Sequence, residues 1–132
     1  MKKLEFQSSD GLKLVGILED PPETDGIQTP DVVLFLHGLY QHKNVSFLRE
    51  FGSRIPSDVR FSRAFRGGLS TFRFDCRGLG ESEGKTMYAP HLNHLRDLES
   101  AITFLERDMK RNVVAILGYS AGGNVALLAA IH

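Results

Sequence analysis

The stretch VVAILGYSAGGNVALLAAI, residues 113–131, joins two kinds of apolar pattern across a glycine-rich turn. Its first part, bounded by Val113 and Leu117, is a continuous apolar run of strand length, as expected of a strand buried on both faces. Gly118-Tyr119-Ser120-Ala121-Gly122-Gly123 turns, and VALLAAI then begins an apolar helix. Strand, sharp turn and helix in immediate succession are the building unit of a parallel sheet with helices on its faces. The same nineteen residues carry no charge and approach the length of a bilayer span. Gly118, Ser120, Gly122, Gly123 and Asn124 at their centre argue against a span, because they would weaken a helix and leave polar groups unpaired in hydrocarbon.

Outward from this stretch, strand-like runs alternate with helical patterns. LEFQS and LKLVGILE flank Ser9-Asp10-Gly11, where Asp-Gly favours a tight reversal, and so predict an antiparallel hairpin. Residues 20–30 are polar and proline-containing and predict a loop. VVLFLH, residues 32–37, is a first central strand. Asn44 is placed to cap a helix whose apolar stripe is Phe47, Leu48, Phe51 and Ile55, with Pro56 ending it. Arg60, Arg63 and Arg66 lie at three-residue spacing on a short basic helix closed by Gly67-Gly68. LSTFRFDC is a second strand, followed by the turn RGLGESEG. Pro90 then opens a helix with Leu92, Leu95, Leu98, Ile102, Leu105 and Met109 on one face.

The composition is that of one ordinary globular domain: 132 residues, 42% hydrophobic and 24% charged. Sixteen basic and sixteen acidic residues cancel, so no global field selects nucleic acid or an anionic membrane. The charges are unevenly spread, with a basic stretch at 43–73 and an acidic one at 10–31, and solvated faces are the expected reading. The single cysteine, Cys76, cannot form an intramolecular disulfide and reads as a buried thiol. The N-terminus starts with lysines, but Glu5, Gln7 and Asp10 interrupt any signal-peptide core, so a cytoplasmic location is expected. His91 and His94 lie three apart on a helix without a third ligand, so no metal and no cofactor are expected.

Gly118-Tyr119-Ser120-Ala121-Gly122 fits the Gly-x-Ser-x-Gly pattern in the strand–turn–helix setting that its chemistry requires. There a serine on a strained turn projects its hydroxyl from the sheet edge, and the helix start offers free N–H groups to an oxyanion. A Cβ at Gly118 or Gly122 would collide where the backbone doubles back. A tight turn that merely carries a serine, or a phosphate-binding loop, is the competing reading. A dinucleotide site, however, wants glycine at position 120, and a phosphate-binding loop wants Gly-Lys-Ser/Thr, which is absent.

Taken together, HGL at 37–39, FDCRGLGESEG at 74–84 and GYSAGG at 118–123 resemble the α/β-hydrolase superfamily, and within it serine esterases and lipases of the monoacylglycerol lipase, feruloyl or cinnamoyl esterase and serine aminopeptidase types. The resemblance implies an α/β fold consisting of an antiparallel N-terminal hairpin and three parallel central strands with helices on both faces. It implies Ser120 as nucleophile, and the backbone N–H groups of Ala121 and Leu39 as the oxyanion hole. His37, Gly38, Gly118 and Gly122 support these motifs, His37 as a structural residue of the oxyanion loop. Asp75, Arg77 and Gly80 resemble a turn tied together by its Asp and Arg.

Members of this superfamily supply the triad in the order serine, acid, histidine. After Ser120 the chain has no acid, and its one histidine, His132, lies about 18 Å along the helix. His42, His91 and His94 precede the serine and read as solvated or capping residues. The chain is therefore expected to be an incomplete α/β-hydrolase domain, residues 1–132, ending just after the helix of the nucleophile elbow. Two function classes stay open. One is a serine hydrolase acting on a small-molecule carboxylic ester or thioester, with acid and His missing; the other is a truncated non-catalytic remnant or binding module. No nucleic-acid motif and no transmembrane segment are expected. The apolar strand edge at 113–117, left without a neighbour, predicts self-association.

Overall fold

The reversal at Ser9-Asp10-Gly11 forms as the sequence predicts. In the computed structural model, which describes residues 1–22 and 29–131, β1 (Lys2–Gln7) and β2 (Lys13–Glu19) pair antiparallel, and Gly11 takes a φ of +85°. Much of the expected 20–30 loop, and all of His132, lies outside the described residues. β3 (Asp31–Leu36), β4 (Leu69–Phe74) and β5 (Val113–Gly118) are parallel, and β2 joins them antiparallel to β4. The sheet order is β1-β2-β4-β3-β5, which makes β4 central and β5 an edge.

Alternation of side chains across the parallel strands builds two cores. Val32, Leu34, Leu36, Phe72 and Phe74 meet α3 (His91–Thr103) and α4 (Ala121–Ile131) on one face. Val33, Phe35 and Leu69 meet α1 (Ser46–Ser57) on the other, with Phe61 of α2 (Val59–Ala64) at the margin. Helices therefore cover both faces, as the sequence predicts. Among the described residues no helix is long and apolar enough to cross a membrane, and the uncharged 113–131 stretch is divided between β5 and α4.

Several local expectations are corrected. Asn44 is exposed and does not cap α1; Val45 holds that position, with no side-chain cap. Pro56 sits inside the last turn of α1 rather than ending it. Gly52 is buried on α1 while Phe51 stays 52% exposed, because the helix turns its glycine toward Thr71 and Arg73 of β4. The buried face of α3 is likewise turned away from Leu92, which is 67% exposed, toward His94, Asp97, Ser100 and Ala101. That rotation lets Asp97 reach Arg77 and lets the Ser100 hydroxyl accept from Ser9 N–H at 3.0 Å. α3 then passes into one π-helical turn, Phe104–Asp108, before β5. β5 is a strand as expected but not a buried one: Val114, Ala115 and Leu117 are exposed, because among the described residues β3 alone pairs with it.

Candidate active site

Ser120 sits between the end of β5 and the start of α4 with φ of +53°, a left-handed conformation that costs a non-glycine residue about 1–2 kcal/mol. The packing around it leaves little choice. A Cβ on Gly118 would stand 2.3 Å from the Gly122 carbonyl oxygen, and one on Gly122 would stand 2.5 Å from the His37 oxygen and 2.6 Å from the Leu36 oxygen. Helix start, strand end and the neighbouring strand thus approach at backbone contact, closer than side chains permit. Tyr119 N–H donates to Leu36 O at 3.0 Å, continuing the β3–β5 ladder by one bond, and its ring lies 4.5 Å from that of Phe47. The Ser120 side chain faces solvent.

The loop after β3 runs beside this turn. Gly38 N–H donates to Gln41 Oε1 and Gln41 N–H to Gly38 O, closing a tight turn that exposes Leu39 and Tyr40. Among the described residues neither Leu39 N–H nor Ala121 N–H donates to any group. Ala121 is the first residue of α4, and the first N–H groups of a helix have no partner within it. Ala121 follows the serine directly, and a Cβ on Gly38 would stand 3.3 Å from Tyr119 Cδ1, so the loop that carries Leu39 lies against the residue before the serine.

His37 holds the loop in place. Cys76 N–H donates to its Nε2 at 3.0 Å, so Nε2 carries no proton; Nδ1–H donates to Gly38 O at 2.8 Å. Both ring nitrogens are thereby used, and burial, the largest influence, lowers the pKa of the ring. A neutral, doubly bonded imidazole suits the structural role rather than proton transfer. Cys76 itself is a buried thiol, its pKa pushed well up by desolvation.

Beneath the loop lies an ion pair that the sequence reading missed. Lys43 is 1% exposed; its Nζ donates to Asp75 Oδ2 at 2.6 Å and to Glu81 Oε2 at 2.6 Å, while its backbone N–H donates to Asp75 Oδ1 at 2.6 Å. Glu81 N–H also donates to Asp75. Hydrogen bonds from Lys3 and Lys43 lower the Glu81 pKa to about 2. Arg77 is clamped between Asp97, which accepts from its backbone N–H and its guanidinium, and Asp10 of the hairpin turn. Hydrogen bonding to Arg77, then to Ser8, brings the Asp10 pKa to about 2. Asp75 and Arg77 thus tie the 75–84 turn, as the sequence predicts, and Lys43 and Asp97 are the partners that complete it. Nothing local marks those two: Lys43 opens a basic stretch, and Asp97 lies between leucines on a helix whose buried face tertiary contacts select.

The histidines before the serine divide. His42 is exposed, its Nδ1 accepting from Asn44 N–H at 3.2 Å. His94, expected to be a solvated or capping residue, is instead 4% exposed beside His37, its Nε2 without a partner among the described residues, and desolvation lowers its pKa to about 4. No cluster of three or more His, Cys, Asp or Glu side chains able to hold a metal ion occurs among the described residues.

Comparison with known proteins places these features in context. The structure resembles an α/β serine hydrolase homologue from Coxiella burnetii, with a TM-score of 0.75 and 18% identity over 98% of this chain and 56% of that one. It also resembles Est1E of Butyrivibrio proteoclasticus, solved with ferulic acid bound (TM-score 0.73, 20% identity, 96% and 46% covered). An esterase of Pyrococcus furiosus aligns with a TM-score of 0.71 and 22% identity over 96% of this chain and 44% of that one. The chain therefore spans about half the length of these proteins, and at such identities the likeness shows the fold alone. No curated protein sequence matches. The family described as "Serine aminopeptidase, S33" matches residues 28–132, most of the chain and all three of its motifs. With the α/β-hydrolase fold around those motifs, that match makes the chain a member of the S33 serine aminopeptidase family.

Proposed function

We propose that this chain carries the nucleophile and the oxyanion hole of a serine hydrolase acting on small-molecule carboxylic esters or thioesters. Ser120 Oγ attacks the acyl carbonyl carbon, the carbonyl oxygen becomes an oxyanion, and Leu39 and Ala121 N–H donate to it. A general base passes the Ser120 hydroxyl proton to the alcohol or thiol that departs as its C–O or C–S bond breaks, and water then releases the acid from Ser120. The observation that carries this reading is the left-handed φ of Ser120 between two glycines that tolerate no Cβ, since strain of this kind is characteristic of functional turns. The esterases among the structural neighbours favour an ester substrate; the name of the family keeps amide bonds in view.

The general base and its acid lie outside the described residues in this reading. Residues 121–131 contain neither an acid nor a histidine, His37 has both nitrogens engaged, and Ser120 Oγ has no hydrogen-bond partner among the described residues. The last observation also favours a second reading, in which the 132 residues bind an acyl group without turning it over.

Fluorophosphonate labelling of the folded chain, with and without added imidazole, separates the readings. Slow labelling confined to Ser120, accelerated by imidazole and abolished by Ser120→Ala, is expected. Labelling elsewhere, or none with imidazole, refutes Ser120 as nucleophile and favours the binding module. Rapid labelling that imidazole leaves unchanged refutes the missing base. An oxyanion hole and positioning without the triad retain only roughly 10³–10⁴-fold catalysis over water, so turnover by the chain alone should be weak.

A further inference from the structure

His94 stands beside His37 with its Nε2 closed to solvent by the chain's own packing and without a partner among the described residues. Buried polar atoms are rarely left so, because the bond lost to water is not replaced. The two rings lie edge to face, with centroids 6.3 Å apart and planes at 73°. His37 in turn fixes the loop that carries Leu39, through Gly38 O on one side and Cys76 N–H on the other. α3 cannot draw His94 away from it. Asp97, one turn further on, is bound to the backbone and guanidinium of Arg77, and His94 N–H donates to Pro90 O at 2.9 Å.

The titratable and charged groups that face His94 are His37 after β3, Arg77 from the 75–84 turn and His91 from its own helix. Cys76, next to Arg77, is a neutral buried thiol, and α4, packed on α3, brings no charged residue among those described. Asp97 is taken up by Arg77, and Asp75, which acts on His37, is taken up by Lys43. A neutral imidazole is tolerated in such surroundings; an imidazolium meets desolvation and no acid.

We propose that His94 is a positioning residue for the oxyanion hole, holding His37 and through it the Gly38–Leu39 backbone while neutral and releasing them when protonated; this rests on the reading of Leu39 N–H as an oxyanion donor. An imidazolium with neither acid nor water at its nitrogen reaches water only by leaving the interior, and the first turn of α3 and the His37 ring must loosen to let it out. The group titrates near 4 in place and near 6.5 when released, so below pH 6.5 the open form gains about tenfold per pH unit, up to roughly 300-fold at pH 4.

Amide hydrogen exchange of the chain at pH 6.5 and pH 5, corrected for intrinsic rates, tests the release. Protection of Cys76 and Gln41 N–H, which close the His37 bond and the Gly38 turn, should fall roughly 30-fold, through an opening with little urea dependence and smaller than the one that exposes Leu34 and Phe72. His94→Leu and His94→Gln, uncharged at both pH values, should remove that dependence. Unchanged protection, exchange of Cys76 through global unfolding alone, or a pH dependence that survives in both variants overturns the proposal. Imidazole-assisted fluorophosphonate labelling of Ser120 tests the positioning: His94→Ala should slow it at least tenfold and His94→Gln should restore most of the rate, whereas an unchanged rate in His94→Ala refutes the role. Failure of the parent chain to label refutes Ser120 as nucleophile instead, and the exchange result then decides by itself whether His94 holds the loop.

Discussion

Asp75→Ala tests how the loop before the candidate active site is held. The carboxylate is fully buried and accepts from Lys43 N–H, Lys43 Nζ and Glu81 N–H at 2.6, 2.6 and 2.9 Å. Alanine leaves a 1%-exposed ammonium held only by Glu81, together with two backbone donors lacking an acceptor. Breaking a buried pair costs about 3–5 kcal/mol, and each orphaned donor about 1–3 kcal/mol. These penalties overlap, since Glu81 and entering water recover part of them, so a loss of about 4 kcal/mol is expected. Domains of this kind have about 5–15 kcal/mol in all, and 1 kcal/mol moves Tm by roughly 3–5 °C at this size, which puts the fall near 12–20 °C.

Lys43→Met should behave differently. It removes the cation and keeps an apolar stem of similar length; the buried Asp75 carboxylate loses its counter-charge but keeps two N–H donors, so a loss of about 2–3 kcal/mol, smaller than that of Asp75→Ala, is expected. In the double variant the methionine should recover part of the Asp75→Ala loss, because no buried cation then remains unpaired. Urea denaturation of the four proteins gives the cycle. An Asp75→Ala loss under about 1 kcal/mol, or strictly additive losses, would refute the view that this carboxylate neutralises a buried charge.

Gly122→Ala should cost at least about 2 kcal/mol in urea denaturation, because the new methyl meets backbone oxygens of Leu36 and His37 that cannot give way. His94 titrates near 4 when folded and near 6.5 when unfolded, so between those values the unfolded chain binds more protons. Its contribution is full above about pH 6.5 and lost as pH falls toward 4; on the order of 3 kcal/mol should disappear there, and His94→Leu should flatten that part of the stability–pH curve. Ser120→Gly should stabilise the chain by about 0.5–1 kcal/mol, the relief of left-handed strain less the entropy that glycine adds to the unfolded state; thermal unfolding that shows a loss would remove the strain argument.

What could be read from the sequence was what neighbouring residues decide. The hairpin follows from Asp10-Gly11, the sheet from runs such as VVLFLH, and the turn at Ser120 from glycines whose missing side chains are themselves the information. The faces that helices bury were harder to read. Leu92 continues the leucine spacing of α3 but points to solvent, because Asp97 and Ser100 have partners 20 and 91 residues away in the chain. The burial of Lys43 and His94 is equally long-range. A lysine in a basic stretch and a histidine in the first turn of a helix look solvated until Asp75 and His37 are brought against them.

The three motifs also prove to be one physical unit. His37 at the first accepts from Cys76 at the second, and its carbonyl oxygen fills the space that a Cβ on Gly122, at the third, would need. Lys43 beyond the first is neutralised by Asp75 of the second, and Tyr119 of the third bonds back to Leu36. The Leu39 segment therefore touches both other motifs and has little freedom of its own. Any change that loosens the 75–84 turn should shift Leu39 relative to Ala121 even though neither residue is altered. Asp75→Ala and Gly122→Ala act on this one loop from opposite sides, so their combined effect should be smaller than the sum, the first having already freed the segment that the second would strain.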